Sequence, residues 1–236
     1  MTDPTPLDNP AYTALLGPQA SLAERAGNAL RYPADVAPFA GLPARPSPGD
    51  WRGLARLAGS GGIAVTAGVL VEPPPDWRVL RVIDGVQLTG EHVTGEQDPE
   101  ASALGPADVP EMLDLVQRTQ PGPFLARTVE FGGYLGIRRN GALVAMAGQR
   151  LRPPGWTEIS AVCTDPSLRG QGLATRLTLA VVSAIRARGD TPFLHATAAN
   201  VTAVRLYESL GFRVRRTAPF TVLRAPSEAS RPSRAV

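Results

Sequence analysis

The 236-residue chain contains no lysine; all 24 of its basic residues are arginine. Every lysine-based chemistry is thereby excluded, Schiff bases among them, and so is the Gly-Lys-Ser/Thr phosphate loop. Cysteine is nearly as scarce. The single thiol, Cys163, forms no intramolecular disulfide and offers no thiolate cluster for structural zinc. With only two histidines, a multi-histidine metal centre is not expected. No apolar run approaches the ~18 residues of a membrane span, so no membrane partner is expected. Met1 to Pro10 is proline-rich and acidic, without the basic stretch and apolar run of a signal peptide, and a cytoplasmic protein is therefore expected.

What remains is a folded, loop-rich composition: 43% apolar, 19% charged, 24 Gly and 24 Pro. At ~100–200 residues per domain the length allows one large or two small domains. Charge divides unevenly. Residues 1–104 carry 7 Arg against 12 acids, and residues 105–236 carry 17 against 9. The second half therefore suits an anionic partner, which nucleic acid, a polyphosphate group or a merely solvated arginine surface would satisfy equally. No aromatic RNA-binding pattern or helix-turn-helix accompanies it, and nucleic acid is not the expected partner.

Prolines at 4, 6, 10, 18, 33, 38, 43, 46 and 48 leave room for one short helix around Ala11 to Ala29. Asp50 is a candidate cap for a helix from Trp51 to Ala58; Ile63 to Val71 and Trp77 to Ile83 read as strands, with a third after Gly85. Residues 91–106 lack apolar periodicity and read as a linker. These signals divide the chain into an accessory N-terminal domain and linker (1–104), a second domain (105–224) and a disordered tail (225–236). In the second domain Asp108 to Gln117 has helical spacing, and a short helix is expected near Ala126 to Phe131. Tyr134 to Arg138 and Ala142 to Arg150 flank Asn140-Gly141, a strong hairpin signal. A strand Trp156 to Cys163, a long helix Leu173 to Ala187, a strand Phe193 to Thr197, a helix Asn200 to Leu210, and two strands, Phe212 to Arg215 and Phe220 to Leu223, complete it.

Two segments carry chemistry. The first, from Val162 through Asp165-Pro166-Ser167-Leu168-Arg169-Gly170-Gln171-Gly172 to Leu173-Ala174-Thr175, is a strand, a glycine turn and a helix start. Unpaired N–H groups at a helix start, glycines that let an anion approach and an adjacent arginine make a phosphate cradle. The third glycine of the dinucleotide fingerprint is missing. A Gly-x-Gly alone is more often a tight connection. The second segment runs from His195 to Phe212, where Asn200, Ala203 and Tyr207 fall on one helix face. Taken singly, Tyr207 reads as a core aromatic and Gly211 as a C-cap.

Together the segments resemble the GCN5-related N-acetyltransferase family. Its Arg/Gln-x-x-Gly-x-Gly/Ala motif is matched by Arg169, Gly172 and Ala174. Its Asn, small residue, Leu-Tyr, Gly-Phe pattern is matched by Asn200, Ala203, Leu206-Tyr207 and Gly211-Phe212. The resemblance covers about residues 105–224. It implies an α+β fold in which helices flank a mixed, mostly antiparallel sheet whose strands Trp156–Cys163 and Phe193–Thr197 splay apart to admit acetyl-coenzyme A. The N-terminal part is then either a degenerate half of the same fold or a cap over the acceptor cleft.

Carried over position by position, the resemblance implies that the amides of Gly170, Gln171, Gly172, Leu173, Ala174 and Thr175 hold the cofactor pyrophosphate beside Arg169. Ala161, Val162, Cys163 and Thr164 would run along the pantetheine, with Val162 and Thr164 pairing their backbones to it. Asn200, Ala203 and Tyr207 would face the arm, and Arg205 would approach the adenosine phosphate. The implied reaction is acetyl transfer to a primary amine, small-molecule or peptide, by direct attack in a ternary complex. It needs a base for the amine proton, a donor for the oxyanion and an acid for the thiolate. Glu158 is the candidate base, His195 the second, Tyr207 the candidate acid, and a backbone N–H near Val162 the donor. Cys163 is expected to point away from Glu158 and Val162, and an acyl-enzyme role for it is disfavoured. The alternative is a non-catalytic acyl-coenzyme A-binding or regulatory protein of the same fold.

Overall fold

The computed structural model describes residues 5–69 and 71–227. Helix α1 (Pro10–Leu16) is followed by a small antiparallel sheet of β1 (Glu24–Ala26), β2 (Ala29–Arg31) and β3 (Ala40–Gly41). The one short helix expected around Ala11 to Ala29 is α1; Gly17-Pro18 ends it, and the rest of that span is a hairpin turned at Gly27, at φ 65°. Helix α2 (Pro48–Ala58) begins earlier than expected. Ser47 is its N-cap and Asp50 its third residue, the two closing a reciprocal capping pair.

Strands β4 (Ile63–Ala67), β5 (Arg78–Ile83), β6 (Gly85–Thr89) and β7 (Ser102–Leu104) precede α3 (Val109–Thr119). Then come β8 (Tyr134–Arg139), β9 (Ala142–Gln149), β10 (Trp156–Thr164), α4 (Leu173–Ala187), β11 (Thr191–Thr197), α5 (Val201–Ser209), β12 (Arg213–Thr217) and β13 (Phe220–Arg224). The β8–β9 turn has Asn140 at φ 51° and Gly141 at φ 84°, two left-handed residues whose twist matches the flanking strands.

The central sheet has seven strands in the order β12-β6-β11-β10-β9-β8-β7, antiparallel except at β10–β11. That parallel pair needs a crossover, and α4 supplies it. Leu173, Leu177, Val181 and Ile185 recur every fourth residue of α4, and each is at most 2% exposed against the sheet. Burying such a side chain contributes ~1.5–3 kcal/mol, which fixes the helix start in place. Helix α3 covers the opposite face through Met112 and Leu115.

The expected boundary after residue 104 does not coincide with a division of the structure. β6 lies between β11 and β12, β7 pairs with β8, and β13 is sandwiched between β4 and β5 in a third sheet. The linker expected over 91–106 contains β7, and Glu96 N–H bonds the Leu179 carbonyl of α4. Of the expected tail, Ala225 is buried and bonds Gly62; residues 228–236 lie outside the described residues. No helix among the described residues is long and apolar enough to cross a membrane.

Candidate active site

The site opens where β10 and β11 part. They pair only from Trp156–Thr191 to Ile159–Leu194. Beyond that point β10 bulges. Its register against β9 shifts between Ser160 and Cys163, and Ala161 takes φ 53°, a left-handed conformation costly to a residue with a Cβ. Neither ladder then pairs Ala161 or Val162, whose backbone is left facing the gap.

The bulge also reverses the side-chain alternation. Ile159 and Val162 both pack toward α4, whereas Ala161 and Cys163 pack toward α3. Cys163 therefore shares the sheet side of Glu158 and not, as expected, the opposite one. Burial pushes its thiol up to about 11 despite a hydrogen bond to Thr119, so it is held as a thiol and is no nucleophile at neutral pH.

The gap leads into a cavity of about 800 Å³. At one end Gly170 (φ 80°) and Gly172 (φ 75°) turn the chain into α4, and a Cβ at either would meet nothing within 4 Å. Gly172 is the N-cap and has no side chain to cap with, so the first N–H groups of α4 are left without a capping acceptor. Arg169 is exposed beside them, with no ion pair or hydrogen bond among the described residues. Thr164 borders the same end, and its buried hydroxyl has no partner among the described residues. These unmatched donors, with open space before them, fit a diphosphate and the polar arm attached to it.

Of the residues expected at the site, Ala161, Val162, Cys163, Thr164, Arg169, Gly170, Gly172, Leu173, Ala174, Thr175, Asn200, Ala203 and Tyr207 border the cavity; Gln171 and Arg205 do not. Asn200 caps α5 through its Oδ1, which accepts from Ala203 N–H at 3.1 Å, so its amide NH2 is the part left for a ligand. Tyr207 is 8% exposed and packs edge-on against Phe212. Burial, with Cys163 adding to it, pushes its phenol up to about 12. It is a neutral donor with no acceptor among the described residues.

Glu158 is placed differently from expectation. Its side chain is wholly buried and does not border the cavity. Oε2 accepts from Arg150 Nε (2.9 Å) and Leu151 N–H (3.2 Å), and Oε1 accepts from Arg150 Nη2 (2.7 Å) and lies 2.6 Å from His195 Nδ1. Burial alone would raise this carboxyl, but Arg150 and then His195 outweigh it and hold it well below the usual carboxylate range. A carboxylate so matched, and outside the cavity lining, is not placed to take a proton directly from an amine there, contrary to the direct form of the expected base role.

The network also fixes His195. Arg215 Nη1 donates to Gln87 Oε1 (2.8 Å), and Gln87 Nε2 donates to the Leu7 carbonyl (2.9 Å), so the amide cannot flip. Its second N–H meets His195 Nε2 at 3.1 Å. Nε2 must then accept, leaving the proton on Nδ1 to bond Glu158. The imidazole borders the cavity, but its lone pair is occupied.

Arg150 and Gln87 escaped sequence reasoning. Arg150, a charge closing the apolar run of β9, was the available signal; Gln87 gave none. The other end of the cavity was missed as well. It is walled by Pro38, Phe39, Val65, Ile83, Phe220 and Val222, drawn from both ends of the chain.

The family model described as FR47-like protein matches residues 134–221. Among solved structures, a protein of Novosphingobium aromaticivorans assigned to the GNAT acetyltransferase family is 43% identical, with a TM-score of 0.85 over 93% of this chain and 98% of that one. Among curated proteins, a mycothiol acetyltransferase of Thermobispora bispora is 37% identical over 119 residues, 45% of this chain and 38% of the relative. An N-alpha-acetyltransferase RimI of Mycobacterium tuberculosis is 36% identical over 83 residues, 34% of this chain and 51% of the relative. The chain thus spans about half or less of the length of these two curated relatives.

Proposed function

Since the chain belongs to the GCN5-related N-acetyltransferase (GNAT) family, we propose that it transfers an acetyl group from acetyl-coenzyme A to a primary amine within one ternary complex. The observation that carries this reading is the continuity of one cavity. It runs from the free N–H groups of α4, past the unpaired backbone at Ala161–Val162 and the Tyr207 phenol, to an apolar chamber at its other end.

Acetyl-coenzyme A supplies an activated acetyl group. The amides at Gly170 to Thr175 and Arg169 hold its diphosphate, and Asn200 and Thr164 face the arm. The N–H of Ala161 or Val162 polarises the carbonyl, at no reorganisation cost because the bulge already presents it. Tyr207 gives its proton to the departing sulfur. The ammonium sheds one proton to solvent, and the second, lost as the amide bond forms, replaces the one from Tyr207. Glu158 and His195 hold β9, β10 and β11 in register and take no proton.

Because no free base borders the cavity among the described residues, turnover at low amine should rise about tenfold per pH unit up to the amine's own pKa. The same lack is what a non-catalytic acyl-coenzyme A binder would show, so two measurements are needed. Calorimetry with acetyl-coenzyme A tests the cradle, and thiol release over an amine panel tests transfer. Heat without thiol release assigns the non-catalytic role; neither heat nor release overturns both readings.

A further inference from the structure

The chamber beyond the Ala161 bulge has a composition that selects its occupant. Six apolar side chains wall it: Pro38, Phe39, Val65, Ile83, Phe220 and Val222. Phe39 and Phe220 lie 6.2 Å apart at 45°, and the His195 ring meets Phe220 edge-on at 5.4 Å. Among the described residues no aspartate or glutamate borders the cavity anywhere along its length; its charged residues are Arg150 and Arg169. Arg150 is already matched, bonded to Glu158 along one edge and stacked 4.8 Å over Phe39. Among the described residues, none of the acids of residues 1–104 reaches the chamber.

An amine entering this chamber finds apolar area to bury and no carboxylate to pair with a second positive charge. A polycation would have to leave one charge unpaired among apolar side chains, where desolvation opposes it. We infer that the acceptor is a primary amine carried on a single apolar body, alkyl or aryl, with no second cationic group. The body sits against Phe39, Val65, Ile83, Phe220 and Val222, and the nitrogen turns toward Ala161 and Val162. This inference rests on the acetyl-transfer reading above and names its substrate class.

The test uses straight-chain amines. With the full chain and saturating acetyl-coenzyme A, kcat/KM should climb about fourfold per methylene from ethylamine to hexylamine as the chamber fills. At equal length, 1,6-diaminohexane should fall at least about tenfold below hexylamine. Val222→Asp, which places a carboxylate in the wall, should narrow or reverse that ratio; Ile83→Asp does the same from the facing strand should the first variant not fold. Calorimetric binding of acetyl-coenzyme A is run beside each. If the cofactor binds but the alkyl series is flat, the diamine is preferred or no alkylamine reacts, the inference is overturned while the cradle stands. If the cofactor does not bind, the transfer reading fails and the inference with it.

Discussion

Glu158→Gln separates a positioning carboxylate from a catalytic base. The substitution preserves shape and volume, so any loss is electrostatic and not a cavity effect. Four donors converge on the two carboxylate oxygens: Arg150 Nε, Arg150 Nη2, the Leu151 N–H and His195 Nδ1. An amide replaces one of those oxygens by an NH2, so in either orientation two donors face a donor. If the NH2 turns toward His195, the ring must move its proton to Nε2, where it meets the Gln87 amide. Arg150, 8% exposed, then has no anion. Removing one partner of a buried ion pair typically costs ~3–5 kcal/mol. At ~2–4 °C per kcal/mol for a chain of this size, Tm should fall by about 6–20 °C. Adding Arg150→Met should recover part of that loss, because the stranded cation is what is expensive. The wild-type contribution has a definite pH dependence. The folded carboxyl is depressed, so its stabilisation is complete above the unfolded value of ~4.3 and is lost as pH falls below it. Thermal melts from pH 7 to 3 and urea titrations of the wild type, Glu158→Gln, Arg150→Met and the double variant measure all of this. A Glu158→Gln loss under ~1 kcal/mol, or a double variant as unstable as the two single losses added, refutes the reasoning. So does a folded Glu158→Gln enzyme whose rate no longer follows the amine's own pKa.

Tyr207→Phe should lower kcat by at least ~10²-fold while leaving acetyl-coenzyme A binding by calorimetry unchanged. With its phenol pushed up to about 12, the wild-type rate should show no loss of this acid up to about pH 11; a basic limb near pH 8–9 that disappears in Tyr207→Phe contradicts the assignment. Cys163 should resist iodoacetamide at pH 7.5 in the folded state, and Cys163→Ala should keep most of its activity; mass spectrometry of a trapped acetyl-enzyme would refute this. Gly172→Glu should weaken acetyl-coenzyme A at least ~10²-fold by placing a carboxylate in the cradle. Strain at φ 75° costs it ~1–2 kcal/mol and nothing crowds the new Cβ, so circular dichroism should still report a folded chain.

What the sequence revealed was local. Asn140-Gly141 specified a hairpin because both residues must be left-handed there, and the fourfold spacing of Leu173, Leu177 and Val181 specified α4 to its observed ends. The glycine turn into α4 and the Asn200 cap were legible for the same reason, since each acts on backbone groups within a few residues. Pairing across long distances left no such mark. Nothing in Gly85–Thr89 says that it will insert between β11 and β12, more than a hundred residues away, and that insertion is why a boundary drawn from composition cut through one sheet.

Beside Arg150, Gln87 and the apolar end of the cavity, the site failed to be legible at Ala161, and consequences spread from it. Strand periodicity assigns alternate faces to Glu158 through Cys163, and no glycine or proline announces an interruption. The bulge adds one residue to β10, so the chain reaches Val162 with its alternation inverted and its amides unpaired. A residue with a Cβ at φ 53° is held there against a cost of ~1–2 kcal/mol, so the surrounding structure must over-determine it. The Glu158–Arg150–His195 network lies immediately before the bulge and ties β10 to both neighbouring strands. It therefore defines where pairing ends and the gap begins. On this argument the buried charges and the open backbone are one device: the ion pair clamps three strands at the last paired position, and the strain beyond it keeps the Ala161–Val162 backbone out of both ladders. Weakening the clamp should then loosen the gap itself, and Glu158→Gln should speed amide hydrogen exchange at Ile159 and Leu194 before it affects α4. Uniform acceleration across β10, β11 and α4 would show that the clamp and the gap are independent.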